Sequence, residues 1–257
     1  MSRNKERAGA REQAESAPPA LAHNTNNEGF SFVVPTEFVD LPSKGKFYPE
    51  GHPLHGEESI EVKQMTAKEE DLLTSRTLLK KGVAVDRVIK SLVVDKRIDP
   101  DTLLVGDRNA LLIAIRVSAY GSEYETKIAC PACNATQRYA FDLNSAKVYE
   151  GGDLSDLDVF DTGNATFTTK LPKTKLDVEF RLLNGRDERN LLMGMKSDRK
   201  QNVHERTVTR QLKNYIVSVN GNTTNEAIDY VIKNIPSMDS RHLRLAYKLA
   251  APNVDLT

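Results

Sequence analysis

The chain has 257 residues, 39% hydrophobic and 28% charged, and its 36 basic and 36 acidic side chains cancel. This balance is ordinary for a soluble globular protein and provides no overall field that would attract nucleic acid or an anionic membrane. Apolar runs such as 110–115 are too short to cross a bilayer, no secretory signal is visible, and the two cysteines exclude a disulfide framework and favour a reducing cytosol.

The chain divides into four predicted regions. Residues 1–29 are polar, lack apolar periodicity and are predicted to be a disordered tail. Residues 30–58 form an extended Pro/Gly-rich arm. Residues 59–150 form a helical region with a cysteine hairpin, and an acidic, glycine-containing loop at 144–158 leads to a second α+β region at 151–257.

The arm combines turn-forming residues with two aromatic side chains, a composition that favours an irregular segment lying on a surface. Such a segment can pack on its own domain or on a neighbouring chain, and the sequence leaves both open. As candidate partner-binding residues we take Leu41, Pro42, Lys44, Gly45, Phe47, Tyr48 and Pro49.

Strand and helix signals follow the arm. Residues 59–64 alternate as in a half-buried strand. Thr66 and Glu69 form a capping box at the start of a helix that Gly82 is predicted to end. A second helix is predicted from about Asp86, and a central core helix from Asp107, as N-cap, to about residue 120.

Strands are predicted at 124–128 and 138–143, on either side of the cysteine turn, and a second hairpin at 165–170 and 176–183. Asp187 is predicted to cap a helix, and further helices are expected at 203–219, 224–235 and 239–250. The pattern predicts an α+β fold of mixed helices and short antiparallel hairpins, one of which carries a C-x-x-C motif.

The Cys130-Pro-Ala-Cys133 motif has the form of half a zinc ribbon. At a hairpin tip it can direct two thiolates at one tetrahedral Zn²⁺ ion, which is half of a four-ligand site. A redox role is disfavoured because that chemistry needs a helix start beside a parallel sheet. The alternative to a zinc site is a hairpin turn whose two thiols bind no metal. Asn134 stands where such a turn often needs positive φ.

No other pattern indicates chemistry. His52 and His55 are interpreted as exposed loop histidines, and Arg186 to Arg189 as the start of a solvated helix face. Asp95, Asp99 and Asp101 lack the glycine and the distal glutamate of a calcium loop. Nucleophile-elbow, phosphate-loop, zinc-protease and dinucleotide-binding motifs are all missing from the sequence, so it does not indicate an enzyme.

Seven segments resemble the baseplate hub and assembly proteins of T-even-type contractile-tailed bacteriophages. The Pro-Ser-Lys-Gly-Lys-Phe-Tyr-Pro run is the most specific of them, because such an extended sequence has no generic reason to recur. The segments are Val39–Pro49, Met65–Ser75, Val105–Ala110, Ile128–Cys133, Leu183–Glu188, Pro236–Arg241 and Pro252–Leu256.

The resemblance implies a non-catalytic viral structural protein that acts in baseplate hub assembly in the host cell cytoplasm. It leaves open whether the protein stays in the virion tail baseplate. The implied partners are other hub or tail proteins, with no small-molecule substrate and no membrane. The family pattern also implies a second C-x-x-C after Pro252–Leu256, which this chain lacks. Cys130 and Cys133 are therefore expected to form half a zinc site, whose other half is missing or contributed from elsewhere.

The sequence thus predicts a protein that acts through protein–protein contacts during assembly of the hub. The alternative is a zinc-ribbon-like adaptor that contacts nucleic acid, although the balanced charge disfavours it. A salt-dependent DNA-binding measurement would discriminate the two, because several phosphate contacts make affinity fall steeply with salt.

Overall fold

The computed structural model describes residues 22–25, 31–201, 204 and 206–255. Over this range short antiparallel strand pairs alternate with helices, which confirms the α+β prediction. The strands are β1 (Ala22–Thr25), β2 (Ser31–Val34), β3 (Thr36–Asp40), β4 (Ser59–Lys63), β5 (Glu123–Ala129), β6 (Thr136–Asp142), β7 (Lys147–Tyr149), β8 (Val159–Asp161), β9 (Thr166–Lys170), β10 (Asp177–Arg181), β11 (Ile216–Val219) and β12 (Asn253–Asp255).

The helices pack around the strand pairs, and none that the structure describes is long and apolar enough to cross a membrane. They are α1 (Ala67–Thr74), α2 (Arg76–Lys81), α3 (Ala84–Leu92), α4 (Val105–Tyr120), α5 (Gly185–Lys200), α6 (Thr207–Tyr215), α7 (Asn225–Asn234) and α8 (Ser237–Ala250).

Strand β1 lies inside the segment predicted to be a disordered tail. It pairs with β2 from Ala22↔Val34 to Thr25↔Ser31, so the prediction does not hold at these four residues. The remainder of that prediction, residues 1–21 and 26–29, lies outside the described residues.

The capping box at the start of α1 is confirmed. The Thr66 hydroxyl and backbone N–H both donate to Oε2 of Glu69, at 2.5 and 3.1 Å, and Ser91 on α3 donates to Oε1 at 2.6 Å. Burial alone would raise the pKa of Glu69, but these hydrogen bonds outweigh it and lower the pKa. The single helix predicted here is divided at Ser75 into α1 and α2, and Gly82 ends α2 at φ +71° as predicted.

Helix α4 is the central helix, but Asp107 is not its N-cap. The helix begins at Val105, and Asp107 lies in its first turn with its side chain buried. Close packing explains why a glycine stands at position 106, because the Cβ atom of any other residue would lie 2.0 Å from the backbone oxygen of Pro252. The start of α4 therefore touches the segment that forms β12, which pairs with β7.

The second half contains a four-stranded antiparallel sheet in the order β11-β10-β9-β8. Its β11 strand corrects the helix predicted at 203–219. Among the described residues of that range, the helix covers 207–215, and 216–219 forms the strand that pairs with β10. The loop predicted at 144–158 contains β7 and two short 3₁₀ turns.

One hydrophobic cluster extends from the arm to α8, and residues on both sides of the predicted boundary at 150/151 contribute to it. Aromatic rings form its centre, with Phe167 stacked on Phe180 at 5.5 Å and Tyr215 stacked on Tyr247 at 5.0 Å. Phe180 contacts Tyr215 edge-on, which joins the two pairs.

Asp239 holds the turn between β9 and β10. Its fully buried carboxylate accepts hydrogen bonds from the backbone N–H groups of Lys173 and Thr174 at 2.8 and 2.9 Å.

We expect Asp239→Ala to lower the free energy of unfolding by about 3 kcal/mol, because both N–H groups lose a charged acceptor. Chemical denaturation measures the effect. The control Asp229→Ala removes an exposed carboxylate paired with Lys213 and should cost less than about 1 kcal/mol. Equal effects at the two positions would contradict this role.

Candidate functional site

The predicted partner-binding arm packs mostly on its own chain. Leu41, Pro42, Gly45 and Tyr48 are buried, as is Ser43 between them. Gly45 has φ +70°, and a Cβ atom there would lie 2.4 Å from the backbone nitrogen of Glu57. The structure therefore selects, for these residues, the alternative in which the arm packs on its own domain.

Three of the seven candidate residues keep some solvent exposure. Pro49 is exposed and the other two are half-buried. Lys44 pairs with Glu150 at 2.7 Å, and Phe47 contacts Phe167 with ring centroids 5.2 Å apart. Partner contact through this part of the arm stays a prediction.

Asp107 fixes the arm to α4. Its Oδ1 accepts the backbone N–H of Ser43 at 2.9 Å, and its Oδ2 accepts the hydroxyls of Ser43 at 2.6 Å and Tyr48 at 2.7 Å. The Tyr48 oxygen in turn accepts the N–H of Leu104 at 3.1 Å. Two of the resembling segments, Val39–Pro49 and Val105–Ala110, thus meet at one carboxylate.

This polar cluster is closed to solvent. Ser43, Tyr48 and Asp107 each expose 2% of their surface or less. Burial raises the pKa of Asp107 despite the hydrogen bonds that it accepts, and burial together with the nearby carboxylate raises that of Tyr48 well above its usual range. Their hydrogen bonds are directed at one another and at the backbone, so the arrangement stabilises the fold.

The histidines of the arm are not free loop residues. His52 Nε2 lies 2.9 Å from the Thr102 hydroxyl, and its ring stacks on Tyr48 at 4.5 Å. Partial burial lowers the pKa of His52. His55 Nδ1 lies 2.7 Å from the Tyr48 carbonyl oxygen. The prediction that both histidines are exposed is therefore wrong for His52, which is half-buried. It is correct for His55, which is exposed.

A network of arginines and carboxylates joins α3, α4 and α5. Arg108 contacts Asp86 at 2.8 Å and Glu188 at 2.6 Å. Arg189 contacts Asp86 at 2.7 Å and also pairs with Asp101. The solvated face predicted at 186–189 is thus wrong for Arg189, which is largely covered, and for Asp187, which is buried and pairs with Arg181 at 2.6 Å. Arg186 is exposed, as predicted.

The cysteine hairpin is confirmed in structure. Strands β5 and β6 pair from Glu123↔Asp142 to Ala129↔Thr136. At the tip the Cys130 N–H donates to the Ala135 carbonyl at 2.9 Å, and Asn134 takes φ +58° as predicted. Within the described part of the chain, this hairpin pairs with no other strand.

One face of the hairpin is aromatic and open to solvent. Tyr124 lies opposite Phe141, and Thr126 opposite Tyr139, so these side chains share a face. Tyr124 is 45% exposed and Tyr139 48%, and the rings of Tyr139 and Phe141 meet edge-on at 4.6 Å. We call Tyr124, Ile128, Tyr139 and Phe141 the aromatic face.

The aromatic face was missed by sequence reasoning, although the two-residue alternation within each strand could have indicated it. The opposite face carries Glu123, Glu125, Lys127, Arg138 and Asp142. With three acidic and two basic side chains, this opposite face is not a basic surface for nucleic acid.

The hairpin tip carries two thiol side chains. Cys133 is exposed and Cys130 half-exposed, and both are free thiols. Across the described chain, no group of three or more His, Cys, Asp or Glu side chains could hold a metal ion.

Comparison with known protein families gives a match over about half of the chain. Residues 34–159 fit the family model described as T4 bacteriophage base plate protein. This span contains residues 34–58 of the arm, the buried Asp107 and the whole cysteine hairpin. No curated protein and no solved structure matches the chain significantly.

Proposed function

We propose, because residues 34–159 match the family model described as T4 bacteriophage base plate protein, that the chain belongs to this family and is a non-catalytic protein of the central baseplate hub. It binds other hub or tail proteins, and the aromatic face of the cysteine hairpin is the contact surface. Assembly takes place in the host cell cytoplasm and places the protein in the baseplate of a contractile tail.

The exposed aromatic face carries this proposal. A two-stranded hairpin is marginally stable by itself in water, and contiguous exposed apolar side chains commonly mark an interaction surface. Tyrosine is enriched among the residues that dominate protein–protein binding energy. Covering Tyr124 and Tyr139 by a partner would stabilise both the hairpin and the complex.

The closed polar cluster supports a structural role over catalysis. Ser43, Tyr48 and Asp107 are the described side chains that most resemble a reactive constellation, and all three are buried with their hydrogen bonds directed at one another or at the backbone. A catalytic group must reach its substrate within hydrogen-bond distance. These groups instead hold the arm on α4.

Replacing Tyr124 and Tyr139 with serine should weaken binding to the purified hub and tail proteins of the same phage by at least about tenfold, because two central aromatic contacts are lost. Calorimetric titration would measure the affinity, and the thermal midpoint of unfolding should change little because both side chains project from the core. Glu123→Ser with Glu125→Ser changes the opposite face and should leave the affinity nearly unchanged.

Equal binding by the aromatic-face variant and the wild type would contradict this proposal. The nucleic-acid alternative predicts instead a DNA affinity that falls steeply with salt and depends on Lys127 and Arg138.

A further inference from the structure

A groove of about 500 Å³ lies between β3 and α4. Its α4 wall is an apolar stripe of residues three or four positions apart, which therefore share one face of the helix. The stripe consists of Ala110, Ile113, Ala114 and Val117. Another side of α4 packs in the hydrophobic core through buried residues such as Leu111. The helix is thus apolar on two sides, and one of them lines the groove.

The other wall of the groove is β3, which among the described strands pairs only with β4. Just before β3 the Gln64 N–H donates to the Pro35 oxygen at 2.9 Å, and just after it the Leu41 N–H donates to the Glu58 oxygen at 2.8 Å. Odd-numbered residues of this segment therefore direct their backbone groups at β4. Because the direction alternates along an antiparallel strand, the N–H and C=O groups of Phe38 point away from β4. An edge of this kind can accept a further strand.

Glu37 brings an uncompensated carboxylate to the groove. The residue is half-buried, and its Oε1 atom is closed to solvent without a hydrogen-bond donor in the described chain. A buried acceptor without a donor costs free energy, and more so when it is charged. Asp40 also lines the groove and is exposed, whereas no Lys, Arg or His is among the described lining residues. The groove is therefore apolar and acidic, and it lacks a cation to compensate Glu37.

We propose that the groove binds an extended segment of a partner protein. The segment pairs with the free edge of β3, packs apolar side chains on the α4 stripe and places a lysine or arginine against Glu37. An added strand suits this site because its backbone supplies hydrogen bonds to the edge while alternate side chains reach one face. A helix satisfies its own backbone groups and would leave the edge of β3 unpaired.

This site is distinct from the aromatic face, because none of the four residues of that face lines the groove. The proposal therefore goes beyond the hub role and does not depend on it.

The test uses the full chain and a fluorescein-labelled synthetic peptide, Gly-Thr-Val-Thr-Lys-Thr-Val-Thr-Gly. Its lysine and both valines fall on one face of an extended strand. Fluorescence anisotropy should show saturable binding. Replacing the lysine of the peptide with glutamate should weaken binding by at least about tenfold, because the new carboxylate would lie against Glu37.

Hydrogen exchange followed by NMR distinguishes strand pairing from simple contact. The peptide should slow exchange of the Phe38 amide, which points to the free edge. The amide of Val39 already points at β4 and should exchange at the same rate with and without the peptide.

Glu37→Gln keeps the size of the side chain and removes its charge, so it should weaken peptide binding by at least about tenfold. Because the wild-type carboxylate is uncompensated, this change should not lower the midpoint of thermal unfolding. Glu61→Gln changes a carboxylate on β4 outside the groove and should bind like the wild type. Ala114→Leu fills the groove and should abolish binding.

Absence of peptide binding, or equal binding of the lysine and glutamate peptides, would overturn the proposal. Wild-type affinity in both Glu37→Gln and Ala114→Leu would also overturn it, as would binding that leaves exchange of the Phe38 amide unchanged. A concentration-dependent dimer in light scattering that Ala114→Leu abolishes would assign the groove to a second copy of this chain instead.

Discussion

Asp107→Ala is expected to lower the free energy of unfolding by about 4 kcal/mol. The change leaves the Ser43 N–H and the hydroxyls of Ser43 and Tyr48 without their acceptor in a closed interior. It also opens a small cavity beside the start of α4. Chemical denaturation of the wild type and the variant, followed by circular dichroism, measures the difference.

Asp107→Asn separates loss of hydrogen bonding from loss of volume. It keeps the size of the side chain and one oxygen that can accept the Ser43 N–H, so it should cost clearly less than alanine. Asp71→Ala removes an exposed carboxylate on α1 and should change stability by no more than about 0.5 kcal/mol. An Asp107→Ala protein within about 1 kcal/mol of the wild type would show that the arm is not held by this carboxylate.

Gly106→Ala should destabilise the protein by about 3 kcal/mol. The added Cβ atom would lie 2.0 Å from the Pro252 oxygen, and backbone atoms cannot move aside as a flexible side chain can. The segment at 252–255 would have to shift, which would weaken the pairing of β12 with β7. Hydrogen exchange of the β12 amides, together with denaturation, reports both consequences.

Gly194→Ala is the matched control within a helix. A Cβ atom at Gly194 meets the guanidinium of Arg210, which is the end of a long side chain and not backbone, although it pairs with Asp198 at 2.9 Å. Alanine also has a higher helix propensity than glycine, by about 1 kcal/mol. The Gly194 variant should therefore lose clearly less stability than the Gly106 variant. If Gly106→Ala were equally mild, the close approach of α4 and Pro252 would not constrain the fold.

Features encoded by neighbouring residues could be predicted from the sequence. The capping box needs Thr66 and Glu69 three positions apart, and the end of α2 needs only Gly82. The cysteine hairpin also follows from local signals, since two alternating strands flank a turn with Asn134 at positive φ. In each case the stabilising contact lies within a few residues along the chain.

Features that depend on distant residues could not be predicted. Asp107 looks like a helix cap until folding brings Ser43, which is 64 residues away, within hydrogen-bond distance. Arg189 looks solvated until Asp86 and Asp101 pack beside it. Residues 216–219 continue a helical pattern in sequence but become a strand because β10 offers an edge for pairing. Tertiary context overrides local propensity at all three places.

The pairing of β7 with β12 bears on how the protein is made. These strands are separated by more than 100 residues, and the segment that includes Pro252 packs on the start of α4. Contacts of such long sequence separation form late in folding. During translation, residues 147–149 must wait without a partner until residues 253–255 leave the ribosome. This strand pair therefore forms only after nearly all of the part of the chain that the structure describes has been synthesised.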